Sequence, residues 1–457
     1  MTGVFKGGVR LVALIFLVYA AYAFHAFVLK GRGVVDRRYV DQDSVTFMDG
    51  LVADGSIAWK ERGAVLDSTA RNRLGGARAR RAERLLGGVD GGPQSMRFDP
   101  SFVSVAHPRV THGRDDALRG RILDRQGRLL AGVDASGGRF CPLGPAAFHV
   151  VGYGGGLYPK SGLEGVFDAS LNPDGAPWWR LLWRGDGPLG ADLHLTVDAD
   201  VQKTAFDAMA GRTGAVVVLD PRNGDILALV SSPSFDPNLP PGSAWDRAAR
   251  DMKQPMLNRA LAGRYPPGSI FKLIVAAAGL GAGEAPVMDL PRRDAALGIG
   301  DRQAFGHTDF ASALAGSSNV YFARWGVALG PRLAEMCAAF GFMKPVIIAD
   351  SPDRQRLEAV PSFSFFLGSP TGPEATPFSE TDFRRNPRLV AQGAIGQNVV
   401  LATPLQMAMA VGAFAHGGVV MRPRIVSAPD DRPELLSKPV SPAAMNRIVR
   451  AMCAVID

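Results

Sequence analysis

The hydrophobic pattern of the chain begins with an uninterrupted apolar run. Residues 11–29 contain one strongly polar side chain, His25. At 1.5 Å per residue, a helix of this length measures about 28 Å, close to the thickness of a bilayer core. The run therefore predicts a transmembrane helix at 11–29 that follows a short tail at 1–10. A cleaved signal peptide is the alternative, because residues 21–23 (Ala-Tyr-Ala) fit a small-x-small cleavage site.

Regular patterns of apolar and polar positions return from residue 193 onward. Asp198 is expected to cap a helix that carries Val201, Ala205 and Met209 on one face. Two apolar strands at 215–219 and 226–230 flank a Pro-Arg-Asn-Gly turn and predict a β-hairpin. Because both strands are almost continuously apolar, we expect their sheet to be covered on both faces.

Three further helices are predicted nearer the carboxyl end. One begins at Ser269 and continues through an apolar stretch to Leu280, where glycine follows. A second has Thr403 as its N-cap, a proline in its first turn and Gln406 at the capping-box position. A third covers 443–455. Residues 160–165, between loops rich in glycine and proline, are predicted to form short strands and turns.

Composition narrows the classes of protein that remain. The 457 residues carry a net charge of +8, and 47% of them are apolar, which indicates a folded protein with ample core. The basic charge suits an anionic surface, but no nucleic-acid-binding motif accompanies it, so we expect no nucleic acid partner. Three cysteines without a Cys-x-x-Cys pair predict neither a disulfide framework nor a zinc site. We expect no cofactor.

One short motif carries candidate chemistry, the sequence Ser269-Ile270-Phe271-Lys272. Residues three apart on a helix share a face, with Cβ atoms about 5–6 Å apart, so the amine can reach the hydroxyl. Serine becomes a nucleophile when a base takes its proton, and lysine can be that base if burial lowers its pKa. Alone, the motif is weak evidence, because a helix cap followed by an exposed lysine gives the same letters more often than a catalytic pair does.

The surrounding sequence resembles the class B penicillin-binding proteins, membrane-anchored peptidoglycan transpeptidases. The resemblance covers residues 119–457 and rests on several strings in family order, namely RGRILDRQGRLLA, KSGLEGVFDASL, GAVVVLDPRNGDILALVSSPSFDPN, NRALAGRYPPGSIFK, GHTDFASALAGSSNVYF and GAIGQNVVLATPLQMAMAVGAFAHGG. It implies an α+β protein with an N-terminal transmembrane helix and an elongated, β-rich non-catalytic domain at 31–192. A penicillin-binding/β-lactamase-like transpeptidase domain at 193–457 would follow, with an antiparallel sheet packed between helices.

The resemblance also implies a role for each residue of the motifs. Ser269 would attack the D-Ala-D-Ala carbonyl of a stem peptide, or a β-lactam, and Lys272 would be its general base. Ser317 would relay protons, and Asn319 would bind both Lys272 and the substrate amide. Ser318 would be a spacer. The expected activity is that of a serine-type D-Ala-D-Ala transpeptidase that cross-links peptidoglycan.

One family motif is missing from its expected place. No Lys-Thr/Ser-Gly sequence follows Asn319. The Lys-Ser-Gly at 160–162 lies before the nucleophile, inside the non-catalytic segment, and is interpreted as a coincidence. We therefore expect a transpeptidase domain that is C-terminally incomplete, with its sheet reduced to the first hairpin and its activity impaired. Two alternatives follow: a truncated membrane scaffold of the cell-wall machinery, or a D,D-carboxypeptidase/β-lactamase-type hydrolase. The loop at 393–397 is interpreted as structural.

Location and partners follow from the same resemblance. The protein is expected in the bacterial cytoplasmic (inner) membrane, crossing it once, with its catalytic domain on the periplasmic or extracellular side. Its expected partners are peptidoglycan stem peptides and β-lactams, the membrane itself, a membrane glycosyltransferase, and proteins of division or elongation.

Overall fold

The structure is a computed structural model, and it describes residues 57–60, 63–66, 118–134, 138–154, 160–172, 190–239, 243–283, 285–364, 380–427 and 432–454. The tail at 1–10 and the predicted transmembrane helix at 11–29 lie outside these residues. Within the described part, every helix is too short or too polar to cross a bilayer. The chain divides into two compact units, 1–110 and 111–457.

The strands are short and mostly paired in twos. In chain order they are β1 (Ile57–Lys60), β2 (Gly63–Leu66), β3 (Ile122–Leu123), β4 (Leu129–Val133), β5 (Arg139–Phe140), β6 (Leu193–His194), β7 (Gly214–Leu219), β8 (Ile226–Ser232), β9 (Met288–Leu290), β10 (Arg293–Asp294), β11 (Ile299–Gly300), β12 (Gly306–Thr308), β13 (Val346–Asp350), β14 (Arg356–Ala359), β15 (Phe363–Ser364), β16 (Val400–Leu401), β17 (Val420–Met421) and β18 (Leu435–Ser437). In the first unit, β1 and β2 form an antiparallel hairpin.

The α-helices all belong to the second unit as far as the structure describes the chain. They are α1 (Phe148–Val151), α2 (Gly162–Val166), α3 (Asp168–Leu171), α4 (Ala199–Met209), α5 (Ser243–Arg250), α6 (Lys272–Gly281), α7 (Phe310–Ala315), α8 (Asn319–Leu329), α9 (Pro331–Ala339), α10 (Glu380–Arg385), α11 (Pro387–Ala394), α12 (Pro404–Ala415) and α13 (Pro442–Cys453). Two 3₁₀ turns, Gly144–Ala146 and Gly268–Phe271, accompany them.

A four-stranded sheet of order β5-β4-β3-β6 opens the second unit. Strands β3 and β4 are antiparallel, whereas β3 and β6 are parallel, with Ile122 opposite Leu193. Strand β6 begins at the predicted boundary between the two domains, so this sheet contains residues from both sides of it. The boundary at 192/193 remains a prediction.

The prediction of strands and turns at 160–165 is wrong, because helix α2 begins at Gly162. The helix is held by its buried acid. Both carboxylate oxygens of Glu164 are paired, one with Arg119 at 2.8 Å and the other with Arg139 at 2.6 Å. Asp168 supplies the second negative charge, because it pairs with Arg119 at 2.6 Å. Charged side chains can be buried together when their charges are matched in this way, and that tertiary requirement overrides the local turn signals.

The predicted hairpin is formed by β7 and β8, from Gly214 opposite Ser232 to Leu219 opposite Ile226. Helix α4 packs on β8 and helix α12 packs on β7. Within the described residues this sheet has two strands. Strand β8 is almost entirely buried, whereas β7 is half-buried along its whole length, so among the described residues the expected cover on both faces is only partly present.

The core of the second unit is built around α6, in which all residues from Lys272 to Leu280 are buried. Small residues let its neighbours approach closely. A Cβ atom added at Gly279 would lie 2.0 Å from the Trp325 ring of α8. Tyr321 and Phe322 of α8 are fully buried beside this contact. The result is a closely packed helical layer immediately behind the Ser-x-x-Lys motif.

Two of the predicted helix starts are confirmed by their caps, and one detail is wrong. The Asp198 side chain accepts hydrogen bonds from the first turn of α4. The Thr403 hydroxyl accepts from the Gln406 backbone N–H at the start of α12. However, the Gln406 side chain does not complete a capping box: it is fully buried and donates to the Phe340 carbonyl at 2.6 Å. Burial gives this amide a tertiary partner in place of the helix terminus.

Candidate active site

The Ser-x-x-Lys motif begins in a 3₁₀ turn. The turn covers Gly268–Phe271, and the α-helix proper starts at Lys272. The predicted start at Ser269 is therefore wrong by three residues. In a 3₁₀ turn, residues three apart are eclipsed, so the side chains of Ser269 and Lys272 project in the same direction. Ser269 is exposed at the end of α6, whereas Lys272 is 1% exposed.

Lys272 is surrounded by acceptors from Ser317 and from Asn319, the first residue of α8. Its Nζ atom donates to the Ser317 carbonyl at 2.7 Å, to Ser317 Oγ at 3.0 Å and to Asn319 Oδ1 at 2.8 Å. These three bonds use all three donors of an ammonium group. The Phe322 ring also lies near the amine, with its centroid 5.7 Å from Nζ.

Ser317 connects the lysine to the nucleophile. Its hydroxyl donates to Ser269 Oγ at 3.1 Å, so the chain Lys272–Ser317–Ser269 is continuous through hydrogen bonds. The backbone of Ser317 has a φ of 52°, in the left-handed region that non-glycine residues rarely adopt. The structure thus brings together the four residues that the sequence indicates, Ser269, Lys272, Ser317 and Asn319.

Burial changes the proton affinity of the amine. The pKa of Lys272 is lowered from 10.5 to about 8, chiefly because the low-dielectric surroundings disfavour the ammonium form. The negative charge of Asp301 acts in the opposite direction and raises this pKa. A lysine with a pKa near 8 is partly neutral at physiological pH, which is the state that a general base requires.

The loop at 393–397 supports the turn that carries Ser269. The Gly268 backbone N–H donates to the Gly396 carbonyl at 2.9 Å. Gly396 has a φ of 70°, and a Cβ atom there would lie 2.1 Å from the Gly268 oxygen. Asn398 has a φ of 55°, a conformation that asparagine tolerates better than most residues. These contacts agree with the structural interpretation of the loop.

Comparison with known proteins agrees with this geometry. Residues 214–456 match the family model of the penicillin-binding protein transpeptidase domain, which is more than half of the chain. The chain belongs to the penicillin-binding protein transpeptidase family. The predicted transpeptidase fold, with its mixed helices and sheets, is confirmed by this match and by the similar structures.

One named relative and two solved structures illustrate the similarity of this chain to penicillin-binding proteins. A peptidoglycan D,D-transpeptidase PbpA from Mycolicibacterium smegmatis is 32% identical over 370 residues, which is 73% of this chain and 69% of the relative. The ceftriaxone acyl-enzyme of penicillin-binding protein A from M. tuberculosis has a TM-score of 0.61 and 29% identity, and the match covers 74% of this chain and 80% of that one. Its penicillin G acyl-enzyme has a TM-score of 0.59 and 28% identity, covering 74% and 82%.

Two residues of this transpeptidase site differ from what the sequence indicates. Ser318 is not a spacer: it is fully buried, caps α8 through the Tyr321 N–H at 3.1 Å, and donates to Asp301 at 2.7 Å. Asp301 is missed by sequence reasoning altogether. It comes 16 residues before Ser317, after a pair of two-residue strands, and no local pattern identifies it.

The Lys-Ser-Gly sequence at 160–162 has other partners. Lys160 pairs with Asp168, and Ser161 Oγ accepts from the Tyr153 N–H at 3.1 Å. Gly162 lies against the backbone of Gly152. Across the described residues, no three metal-binding side chains of His, Cys, Asp or Glu are grouped as a metal site.

Proposed function

We propose that this chain is a serine D,D-transpeptidase that cross-links peptidoglycan stem peptides through an acyl-enzyme on Ser269, and that β-lactams acylate the same oxygen. The hydrogen-bonded chain from Lys272 through Ser317 to Ser269 carries the proposal, together with family membership. The named relatives are peptidoglycan D,D-transpeptidases, and similar solved structures are acyl-enzymes with β-lactams.

Acylation needs a neutral amine. When Lys272 loses a proton it retains two donors for its three acceptors, so its lone pair becomes free to accept from the Ser317 hydroxyl. Rotation of the Ser317 hydroxyl then lets it receive the Ser269 proton while its own proton passes to Lys272. The Ser269 oxygen attacks the carbonyl of the penultimate D-Ala, and the amide bond to the terminal D-Ala breaks.

The proton taken from Ser269 is used again when the leaving group departs. Lys272 returns it, through Ser317, to the amine of the departing D-Ala. A second stem peptide then supplies an amine that attacks the ester on Ser269 and gives up a proton to the same base. The ester breaks, the new amide forms the cross-link, and the Ser269 hydroxyl is regenerated. Asn319 holds Lys272 in place and offers its amide to the substrate backbone.

Labelling with a fluorescent penicillin tests the assignment of the nucleophile. In the full chain, Ser269→Ala should abolish labelling, and mass spectrometry should locate the adduct on the peptide that contains Ser269. Lys272→Ala should slow acylation by roughly 10²–10⁴-fold, as expected for loss of a general base. Ser312→Ala, at an exposed serine of α7, is the matched control and should label normally. Undiminished labelling of Ser269→Ala would refute the proposal.

We also propose that residues 11–29 anchor the chain in the cytoplasmic membrane, with 31–457 on the outer side where stem peptides are cross-linked. The uninterrupted apolar run supports this proposal. Alkaline phosphatase fused after Asp457 should be active, whereas a reporter that works only in the cytoplasm should be silent there. The reverse result would contradict the orientation.

The partners proposed for this transpeptidase are a membrane glycosyltransferase, which would supply the glycan strands, and proteins of division or elongation. Crosslinking of the detergent-solubilised full chain, followed by mass spectrometry, should recover such a glycosyltransferase. Recovery in equal amounts with an unrelated single-pass protein would argue against a specific partnership.

A further inference from the structure

The carboxylate of Asp301 collects three hydrogen bonds from one short segment of the active site. Its Oδ2 atom accepts from Ser318 Oγ at 2.7 Å. Its Oδ1 atom accepts from the backbone N–H of Asn319 and from that of Val320, the latter at 3.3 Å. All three donors lie at the start of α8, immediately after Ser317. The carboxylate therefore binds the segment that presents Ser317 and Asn319 to the lysine.

Asp301 is itself held by a small hairpin. Its backbone N–H donates to the Arg292 carbonyl at 2.9 Å, next to the pairing of β10 with β11. The preceding residue takes part as well, because Asn319 Nδ2 donates to the Gly300 carbonyl at 3.2 Å. Asn319 is thus fixed through both its backbone and its side chain, and its Oδ1 atom is left facing Lys272.

The position of Ser317 makes this support necessary. A residue with positive φ returns to an extended or helical conformation unless its neighbours prevent it. The segment that follows Ser317 is fastened by the Asp301 carboxylate, so the left-handed turn cannot relax without breaking charge-assisted hydrogen bonds. The turn also directs the Ser317 carbonyl and hydroxyl toward the same amine.

Charge adds a second effect. Asp301 raises the pKa of Lys272 and so partly offsets the effect of burial. Other charged side chains on the surrounding elements include Arg324 of α8, which pairs with Asp294, and Arg332 of α9. Among the described residues, Asp301 is the charged group to which the pKa of Lys272 responds.

We propose that Asp301 is a positioning residue of this active site, which holds the Ser317–Asn319 turn against Lys272 and supplies a counter-charge to its amine. The positioning half of the proposal stands on hydrogen bonds within the chain. A test of Asp301 by acylation rate rests on the proposed function, because it requires that the chain be acylated. A test by direct titration of Lys272 does not rest on it.

The test compares Asp301→Asn with Asp309→Asn in the full chain. Asparagine keeps an acceptor for the N–H groups of α8 but removes the charge. Asp309 is a matched control, because it is an exposed aspartate that caps the adjacent helix α7 and accepts from the Ser312 N–H at 2.9 Å. Second-order acylation by a fluorescent penicillin is measured from pH 6 to pH 10 in each protein.

In Asp301→Asn the lysine should become neutral at lower pH, so the midpoint of the acylation profile should move down by about one unit. Asp309→Asn should keep the midpoint of the unmodified chain. A residue with a purely structural role would lower the rate without moving the midpoint. An unmoved midpoint in Asp301→Asn would therefore overturn the counter-charge half of the proposal.

A second measurement does not depend on acylation. In a chain labelled with ¹³C at lysine Cε, Lys272→Arg identifies the resonance, and its titration gives the pKa directly. This pKa should be lower in Asp301→Asn and unchanged in Asp309→Asn. If the unmodified chain is not acylated, the proposed function fails, while this titration still decides on Asp301.

A third variant tests positioning if Asp301→Asn does not fold. Ser318→Ala removes one hydrogen bond to the carboxylate and leaves its charge in place. It should lower the plateau rate of acylation roughly 3–10-fold, about the effect of one hydrogen bond, with an unchanged midpoint. An unchanged plateau would overturn the positioning half of the proposal.

Discussion

Ser317 is a single residue in which stability and function oppose each other. Its hydroxyl lies 3.0 Å from Lys272 Nζ and 3.1 Å from Ser269 Oγ, which places it within hydrogen-bond distance of both groups, as a proton relay requires. The same residue has a φ of 52°, which costs a non-glycine residue about 1–3 kcal/mol. The hydrogen bonds of the following segment to Asp301 hold Ser317 in this strained conformation, in which its hydroxyl can reach both Lys272 and Ser269.

Ser317→Gly should therefore separate the two effects. Glycine adopts positive φ freely, so the free energy of unfolding should stay the same or rise by up to about 1 kcal/mol. Acylation by penicillin should nevertheless fall by roughly 10²-fold or more, because the relay is gone. Chemical denaturation and stopped-flow labelling of the same preparation measure both. Loss of stability without loss of rate would contradict this view of Ser317.

At the scale of single residues, the sequence predicts the reacting groups but not the residue that holds them in position. Ser269 and Lys272 are identified by spacing, and Ser317 and Asn319 by the motif that follows. Asp301 is invisible because its partners are backbone N–H groups and a serine hydroxyl, none of which leaves a pattern in the sequence. The left-handed turn at Ser317 is equally hidden, since serine carries no signal for positive φ.

At the scale of elements, the turn that carries Ser269 depends on a contact with the loop after α11. Gly396→Ala should disturb it, because the new Cβ would lie 2.1 Å from the Gly268 oxygen in addition to meeting a positive φ. We expect a loss of about 2–4 kcal/mol in the free energy of unfolding and a clear fall in acylation rate.

Gly417→Ala is the matched control for this prediction. Gly417 also has a positive φ, of 61°, but no atom lies within 4 Å of the position that a Cβ would take. It should lose about 1 kcal/mol through backbone strain alone and acylate normally. Equal losses in the two variants, measured by denaturation, would show that the Gly268 contact contributes nothing.

Predicted elements succeed where local signals decide and fail where tertiary contacts do. The caps at Asp198 and Thr403 and the hairpin of β7 and β8 follow from residues that are adjacent in sequence. Helix α2 instead depends on Glu164 meeting two arginines from other segments, one of them 45 residues away. The Gln406 amide is likewise taken from its helix terminus by the Phe340 carbonyl, 66 residues away.

For the molecule as a whole, the buried charges near β3 join segments that are distant in sequence. Glu164 is 1% exposed and binds Arg119 and Arg139, which are 3% and 6% exposed. Glu164→Gln removes the charge that both arginines bind, and Asp168 remains for Arg119 alone. The free energy of unfolding should therefore fall by about 3–5 kcal/mol.

The surface pair Lys203–Asp207 provides the comparison, with side chains that are 57% and 58% exposed. Asp207→Asn should change the free energy of unfolding by less than about 0.5 kcal/mol, because water screens an exposed pair. Thermal or urea unfolding measures both variants. A small effect in Glu164→Gln would mean that the arginines find water or other partners when the acid is lost.

The stability of the whole unit should also depend on the protonation of His149, a residue of α1 that is 6% exposed. Burial lowers its pKa from 6.5 to about 4, and the carbonyls of Pro233 and Pro255 only partly oppose this lowering. Above pH 6.5 the ring is neutral in both the folded and the unfolded chain. As the pH falls from 6.5 to 4, the unfolded chain takes up a proton that the folded protein does not, so stability decreases through this window.

The expected loss reaches about 3 kcal/mol near pH 4, since each unit of pKa shift corresponds to about 1.4 kcal/mol. His149→Gln, which cannot take up a proton, should lose less stability over the same range, whereas His307→Gln, at a side chain that is 76% exposed, should behave like the unmodified chain. Urea unfolding at pH 7, 5.5 and 4.5 measures the difference. The other buried acids and bases contribute equally to all three proteins, so the difference between the variants isolates His149. If His149→Gln and the unmodified chain lose the same stability, the ring must take up its proton in the folded protein as readily as in the unfolded chain, and burial does not lower its pKa.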